Sequence, residues 1–255
     1  MMYVKQMSRR GFLGLAGAAM ALSATGAYGQ TRSEAAMTRV IEVESGMRDR
    51  RNAGRPLPAE WFAEELSRGL SPRDSRIAAF HLVQRVPYKL SSWTGDPDSL
   101  FTLGRGDCRH KSAATRRLMR LLGYQANAVQ LPFDWADLPI PESVLAPLSE
   151  TRGIHDAVEV VIDGERRLVD PTWDPALGTV GFPTLALWDG VSATPFITPR
   201  ATVIVRAGDV PQGRNLFDHF KIGWPVRENT LAFNRAFNAW SDEIRARAQP
   251  LAELR

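Results

Sequence analysis

The only cysteine of this 255-residue chain, Cys108, stands near the start of the segment GDCRHKSAATRRLMRLLG. A sole cysteine has no internal disulfide partner, so it is either packing or a reactive thiol. The residues after it favour the thiol. From Arg109 to Leu122 the apolar residues Ala114, Leu118, Leu121 and Leu122 recur at helical spacing. Arg116, Arg117 and Arg120 load the C-terminal turns, and Gly123 supplies a stop. This predicts a helix with Cys108 in its first turn, where unpaired backbone N–H groups and the positive dipole end stabilise an anion and so favour thiolate. Gly104 and Gly106 just upstream would let the chain turn sharply and leave room for a substrate carbonyl.

A second constellation, GIHDAVEVVIDGERRLVDPTWD, runs from Gly153 to Asp174. Residues 157–162 are rich in β-branched side chains, Asp163-Gly164 is a strong two-residue hairpin signal, and Glu165 to Asp170 reads as the returning strand. If Ile162 pairs with Glu165, Asp170 lies opposite Ala157 and Thr172 opposite His155. Cross-strand partners share a face, so His155, Ala157, Asp170 and Thr172 all project from one side. His155 and Asp170 are then diagonal neighbours, about 7–8 Å apart at the backbone, within reach of an imidazole and a carboxylate aimed at each other. A slip of one residue would place them on opposite faces.

A thiol at a helix start and a histidine oriented by an acid are the parts of nucleophilic thiol catalysis. The imidazole takes the thiol proton and returns it to a leaving amine, while the carboxylate fixes the tautomer and stabilises the imidazolium. Other residues offer less. His110 reads as a helix-surface residue that could perturb Cys108, Asp156 points to the strand face opposite His155, and Asp174 is a fallback acid. His81 and His219 have no partners visible in the sequence; with one cysteine and scattered histidines, no metal site and no cofactor are expected. An oxyanion donor besides the Cys108 amide is required; Trp93 and Gln84 are upstream candidates.

The order of GDCRHKSAATRRLMRLLGY, GIHDAVEVV and RRLVDPTWD resembles the transglutaminase-like superfamily of papain-type folds, over roughly residues 75–175. The resemblance implies Cys108 as nucleophile, His155 as general base and acid, and Asp170 as orienting acid. GRGDC is also similar to the bacterial transglutaminase-like cysteine proteinases, which are exported to the periplasm. Those carry acidic residues after the cysteine, associated with calcium dependence; Arg109 and His110 stand there in this chain, so neither a calcium site nor that subfamily's adhesin substrate is carried over.

The elements that must position these residues read as α+β: a transglutaminase-like, papain-like core with the cysteine helix packed on an antiparallel sheet, plus N- and C-terminal helices. Helices are predicted over 33–50 and 59–69, and over 72–85, where SPRD from Ser71 to Asp74 has capping-box spacing with proline in the first turn. Residues 126–131 read as a strand and 182–205 as short strands and turns. Phe233, Phe237, Trp240 and Ile244 form one apolar stripe on a closing helix. The proline-rich connection from Pro132 to Gly153 joins the cysteine and histidine regions and reads as a cleft wall or lid; Asp134, Asp137, Glu142 and Glu150 in it would disfavour strongly acidic substrates.

The N-terminal stretch MSRRGFLGLAGAAMALSATGAYGQ has a charged start with Arg9-Arg10, a short glycine-rich apolar run, and small residues at Ala27 and Gly29. It reads as a twin-arginine signal over residues 1–29, leaving 30–255 as one domain in the periplasm or secreted, with only transient membrane contact. The formal charge of +4 comes from 32 basic and 28 acidic residues; Lys5, Arg9 and Arg10 are the only charged residues of the leader, so 29 basic against 28 acidic remain. Nucleic-acid binding thereby loses its electrostatic support. The expected partner is a protein or peptide, with three outcomes open: hydrolysis of a peptide or isopeptide bond, amine transfer that crosslinks glutamine-bearing proteins, or binding without turnover.

Overall fold

The computed structural model describes residues 34–92 and 95–252, with side chains described as far as residue 248. The expected leader over residues 1–29 and the candidate donor Trp93 lie outside these residues. The chain is α+β. Helix α1 covers 34–52, followed by α2 (Ala59–Ser67) and α3 (Pro72–Arg85). The start of α3 follows from its sequence: the Ser71 hydroxyl accepts the Asp74 N–H at 3.1 Å, and Pro72 occupies a position whose N–H would have had no partner. The short helix α4 (Leu100–Leu103) ends on Gly104, whose φ of 64° is the left-handed cap that glycine adopts without strain. Helix α5 (Cys108–Leu121) follows at once.

The sheet has three antiparallel strands in the order β1 (Ala126–Asp134), β2 (Arg152–Ile162), β3 (Glu165–Leu168). Strands β2 and β3 pair Ile162 with Glu165, and the turn between them holds Asp163 and Gly164 at φ 53° and 83°, the double left-handed geometry that Asp-Gly favours. Three expectations need correction. Strand β1 runs past Leu131 through Pro132 to Asp134, because Gln130 donates its N–H outward to Val205 at 2.9 Å, and Pro132, two residues on, turns its missing donor to the same outer edge. Strand β3 stops at Leu168. Val169 still donates to the Val158 carbonyl at 2.8 Å, but Asp170 hands its N–H to the Thr194 hydroxyl at 3.0 Å and leaves the ladder ahead of Pro171. Between 182 and 205 the only sheet pairing is the Gln130–Val205 bridge; the rest is irregular.

Two hydrophobic clusters meet at the start of α5. The first packs Val40, Phe62, Leu82, Leu118 and Met119 from the helices against Val158, Val160 and Ile162 on one face of β2. Leu121, expected on the buried stripe of α5, is 43% exposed, and Met119 is buried in its stead. The second cluster gathers Tyr88, Phe133, Trp173 and Phe182 under the closing helix α9 (Arg227–Ala252), which buries Phe233, Phe237 and Ile244. Three short helices, α6 (Glu142–Leu145), α7 (Pro175–Gly178) and α8 (Leu216–Phe220), fall between α5 and α9 in the chain, and Val144 and Leu177 join the second cluster.

Phe237 is fully buried, with Tyr88, Trp135 and Trp240 within 5.9 Å between ring centroids. Phe237→Ala should lower unfolding free energy by about 3–5 kcal/mol in urea titrations followed by tryptophan fluorescence. A loss under about 1 kcal/mol would show that α9 is an ornament and not part of the core.

Candidate active site

Cys108 is the first residue of α5 and half-buried against the second cluster. The residue before it organises this end of the helix. Asp107 is the N-cap, 3% exposed, and its carboxylate accepts the Arg109 N–H at 3.2 Å, the Arg109 guanidinium at 2.8 Å, His110 Nδ1 at 2.8 Å and the Ser91 hydroxyl at 2.9 Å. Burial alone would raise its pKa; the hydrogen bonds from His110 and Arg109 outweigh it and hold the carboxyl well below the usual range. His110 is therefore a fully buried support, not the surface residue that helical position alone suggested. Gly106 is likewise a packing requirement: a Cβ there would come within 2.6 Å of His110 Cβ and 2.8 Å of Leu100 Cδ1. The space it leaves is filled by side chains and is not open to a substrate carbonyl.

His155, 1% exposed on β2, brings Nε2 to 2.8 Å from Asp170 Oδ2. Its side chain also interacts with the Cys108 side chain, which leaves Nδ1 as the nitrogen that faces sulfur. Burial pushes the imidazole pKa down, but Asp170, and after it Cys108, more than offset this and raise His155 to about 10. The charged form of the ring is thus favoured, held between a carboxylate and a sulfur. The contact forms although Asp170 has left the ladder. Its second oxygen accepts the Thr172 N–H at 3.2 Å, closing a turn around Pro171 that swings the carboxylate toward the ring. Fully buried Lys111, one turn along α5 from Cys108, donates to the carbonyls of Gln84 at 3.1 Å and Pro171 at 3.4 Å, so the same helix that carries the thiol holds the acid's loop. Burial brings this ammonium down to about 7, against the pull of Asp174.

Cys108 and His155 open onto one cleft of about 280 Å³, walled by Phe133, Trp135, Leu148, Trp173 and Phe233. The connection after Leu131 supplies three of these, so it does form a wall. The expectation drawn from its acids changes, however. Glu150, which lines the cleft, is ion-paired with Arg152 at 2.6 Å, and Asp137 is paired with Arg200 at 2.7 Å, so the charges of these two acids are offset and the wall is mainly aromatic. Most of the remaining candidates fall elsewhere. Asp174, the fallback acid, binds Arg245 at 2.7 Å and the Tyr88 N–H at 2.8 Å, and the carboxylate bonded to His155 is that of Asp170. Gln84 bonds His81 at 2.9 Å and the Leu185 carbonyl at 3.0 Å, in the first cluster, and does not line the cleft. His81 is structural: burial lowers it to about 4, and its Nε2 accepts the Trp188 N–H at 3.0 Å. Asp156, by contrast, lines the cleft, where it accepts from the Gln130 side-chain amide at 2.9 Å, and His219 lies in α8. Among the described residues no group of three or more His, Cys, Asp or Glu is placed to hold a metal ion.

No family model and no curated protein matches the chain. Among solved structures it overlaps a candidate cysteine protease from Cytophaga hutchinsonii at 18% identity and a TM-score of 0.34, over 44% of this chain and 36% of that one. The chain thus spans little more than a third of that protein's length.

Asp170→Asn removes the main charge that raises His155. The folded value lies above the unfolded one of about 6.5, so the stability drawn from the charged ring is full below that pH and is lost as pH rises through about 10. In the variant, the His155 signal in a histidine NMR titration should move down by at least about two units, and the decline of Tm between pH 7 and 10 should flatten. A His155 titration that stays where it was would mean that the carboxylate does not govern the ring.

Proposed function

We propose that the chain is a thiol hydrolase of transglutaminase-like, papain-like type, cleaving peptide or isopeptide amide bonds through a thioester on Cys108. The single observation that carries this reading is that the first residue of α5 is a cysteine sharing its cleft with an imidazole whose far nitrogen is 2.8 Å from a buried carboxylate. The thiolate attacks the amide carbon, and the carbonyl electron pair moves onto oxygen. As the C–N bond breaks, His155 Nδ1 delivers its proton to the departing amine, leaving a thioester and a neutral ring. A water molecule then gives its proton to Nδ1 and its hydroxide to the thioester carbon; collapse expels the thiolate and an acid. Asp170 holds the ring in register throughout. The twin-arginine leader expected over residues 1–29 would deliver such an enzyme already folded to the periplasm, which suits a catalytic thiol with no disulfide partner.

The aromatic wall suggests an acyl donor with a bulky apolar side chain beside the scissile bond. Truncation of Trp135 to alanine should raise KM about tenfold for such substrates with a smaller change in kcat, whereas small polar donors should be nearly unaffected.

The test is a comparison of periplasmic peptides from cells carrying wild-type protein and Cys108→Ala, followed by assay of the purified protein on the bonds identified. Cys108→Ala and His155→Ala should each lower turnover by about 10³-fold or more. Labelled amine incorporated into a glutamine-bearing protein, dependent on Cys108, would instead establish acyl transfer. The non-catalytic alternative makes a different statement: Cys108 alkylation by iodoacetamide would follow an ordinary free thiol, with a midpoint near about 8.5, and not persist at pH 6.

A further inference from the structure

An acyl-transfer site needs a second donor to the tetrahedral oxyanion besides the Cys108 amide. We propose that the Tyr88 hydroxyl is this donor, acting together with the backbone N–H of Cys108 as the oxyanion hole; the proposal rests on the thiol-hydrolase reading.

Tyr88 is 2% exposed, yet it lines the same cleft as Cys108 and His155. Its phenol oxygen lies against the start of α5 and interacts with the Cys108 backbone N–H, so an N–H and an O–H converge beside the sulfur. An oxyanion entering at that point takes the Cys108 N–H from the phenol oxygen and accepts from the hydroxyl as well. The position of the hydroxyl is over-determined by the chain around it. Tyr88 pairs in a parallel bridge with Gly106, two residues before the thiol: Lys89 donates to the Gly106 carbonyl at 3.0 Å, and Gly106 to the Pro87 carbonyl at 3.2 Å. Its own N–H is fixed by Asp174 at 2.8 Å and its carbonyl by Arg245 at 2.7 Å. The ring is held edge-on by Trp173, with centroids 4.6 Å apart, and by Phe237 at 5.9 Å. A donor clamped in this way needs no reorganisation when charge develops, which is the condition for effective oxyanion stabilisation.

The protonation state agrees. Burial, and after it the negative groups at Cys108, Asp107 and Asp170, push the phenol well above its ordinary range, so it keeps its proton and stays a donor. Of the two upstream residues considered from the sequence, Gln84 is committed elsewhere and Trp93 lies outside the described residues.

The test separates steps with and without an oxyanion. Acylation by p-nitrophenyl acetate forms the S–C bond, moves the carbonyl pair onto oxygen, and then expels p-nitrophenolate as the carbonyl re-forms. Alkylation by iodoacetamide displaces iodide directly and passes through no oxyanion. Tyr88→Phe, which keeps the ring and its stacking, should slow the p-nitrophenolate burst about 100-fold while Cys108 alkylation on the same preparation stays within about threefold. Equal loss in both reactions would mean that Tyr88 tunes the thiol or the fold, and no loss in either would mean that it is not a donor; both outcomes overturn the proposal. A wild-type protein that alkylates but never acylates would instead sink the thiol-hydrolase reading, and the oxyanion assignment with it.

Discussion

The geometry of the site hangs on a buried carboxylate with no freedom to be elsewhere. Asp107 sits almost out of solvent at the N-cap of α5, and an ionised carboxylate there is tolerable only while its lone pairs are filled. Ser91, Arg109 and His110 fill them, from the loop before the helix and from the helix itself. The arrangement leaves the next residue, Cys108, one orientation, with its side chain toward β2 and its amide toward Tyr88. Gly106 follows from the same packing, since His110 can reach Asp107 only where no Cβ stands in the way. A charged N-cap also supports the helix dipole, so the carboxylate that anchors the turn stabilises the helix it begins.

What the sequence made legible was local in origin. The Asp-Gly turn set the register of β2 and β3, because a two-residue turn leaves one pairing to choose from, and so brought residue 170 near His155; the contact itself is completed off the ladder, by the turn around Pro171. The SPRD cap and the apolar stripe of α9 were readable for the same reason: each states a period or a cap in consecutive residues. Asp107 stands in plain view in GDC, directly before the helix, but its buried role depends on Ser91, 16 residues upstream, and on the inward turn of the Arg109 and His110 side chains, which spacing does not state. The burial of His110 and the pairing of Asp137 with Arg200, 63 residues on, depended on which surfaces the fold brought together, and spacing carries no trace of that. Tyr88 was illegible for a further reason. It stands twenty residues before the cysteine in an irregular stretch, and only its bridge to Gly106 brings the two together.

The extension of the chain beyond residue 175 enters the site through two acids four residues apart. In VDPTWD, Asp170 turns to His155, while Asp174 turns away to bind Arg245 of α9 and the Tyr88 N–H. Pro171 and the Thr172 turn set the two carboxylates in opposite directions, and Lys111 pins the peptide between them to the cysteine helix. Arg245 closes the circuit by holding both Asp174 and the Tyr88 carbonyl. The closing helix is thus coupled to both functional halves, to the imidazole through the acid loop and to the phenol directly, while its apolar stripe builds the floor beneath them. A shift of α9 would move the phenol and the acid loop together, so the spacing between the Tyr88 side chain and the His155 ring is governed by one helix. That makes α9 a structural member of the site and explains why the aromatic stripe at Phe233 and Phe237 packs against Trp135 and Tyr88 instead of facing a partner of its own.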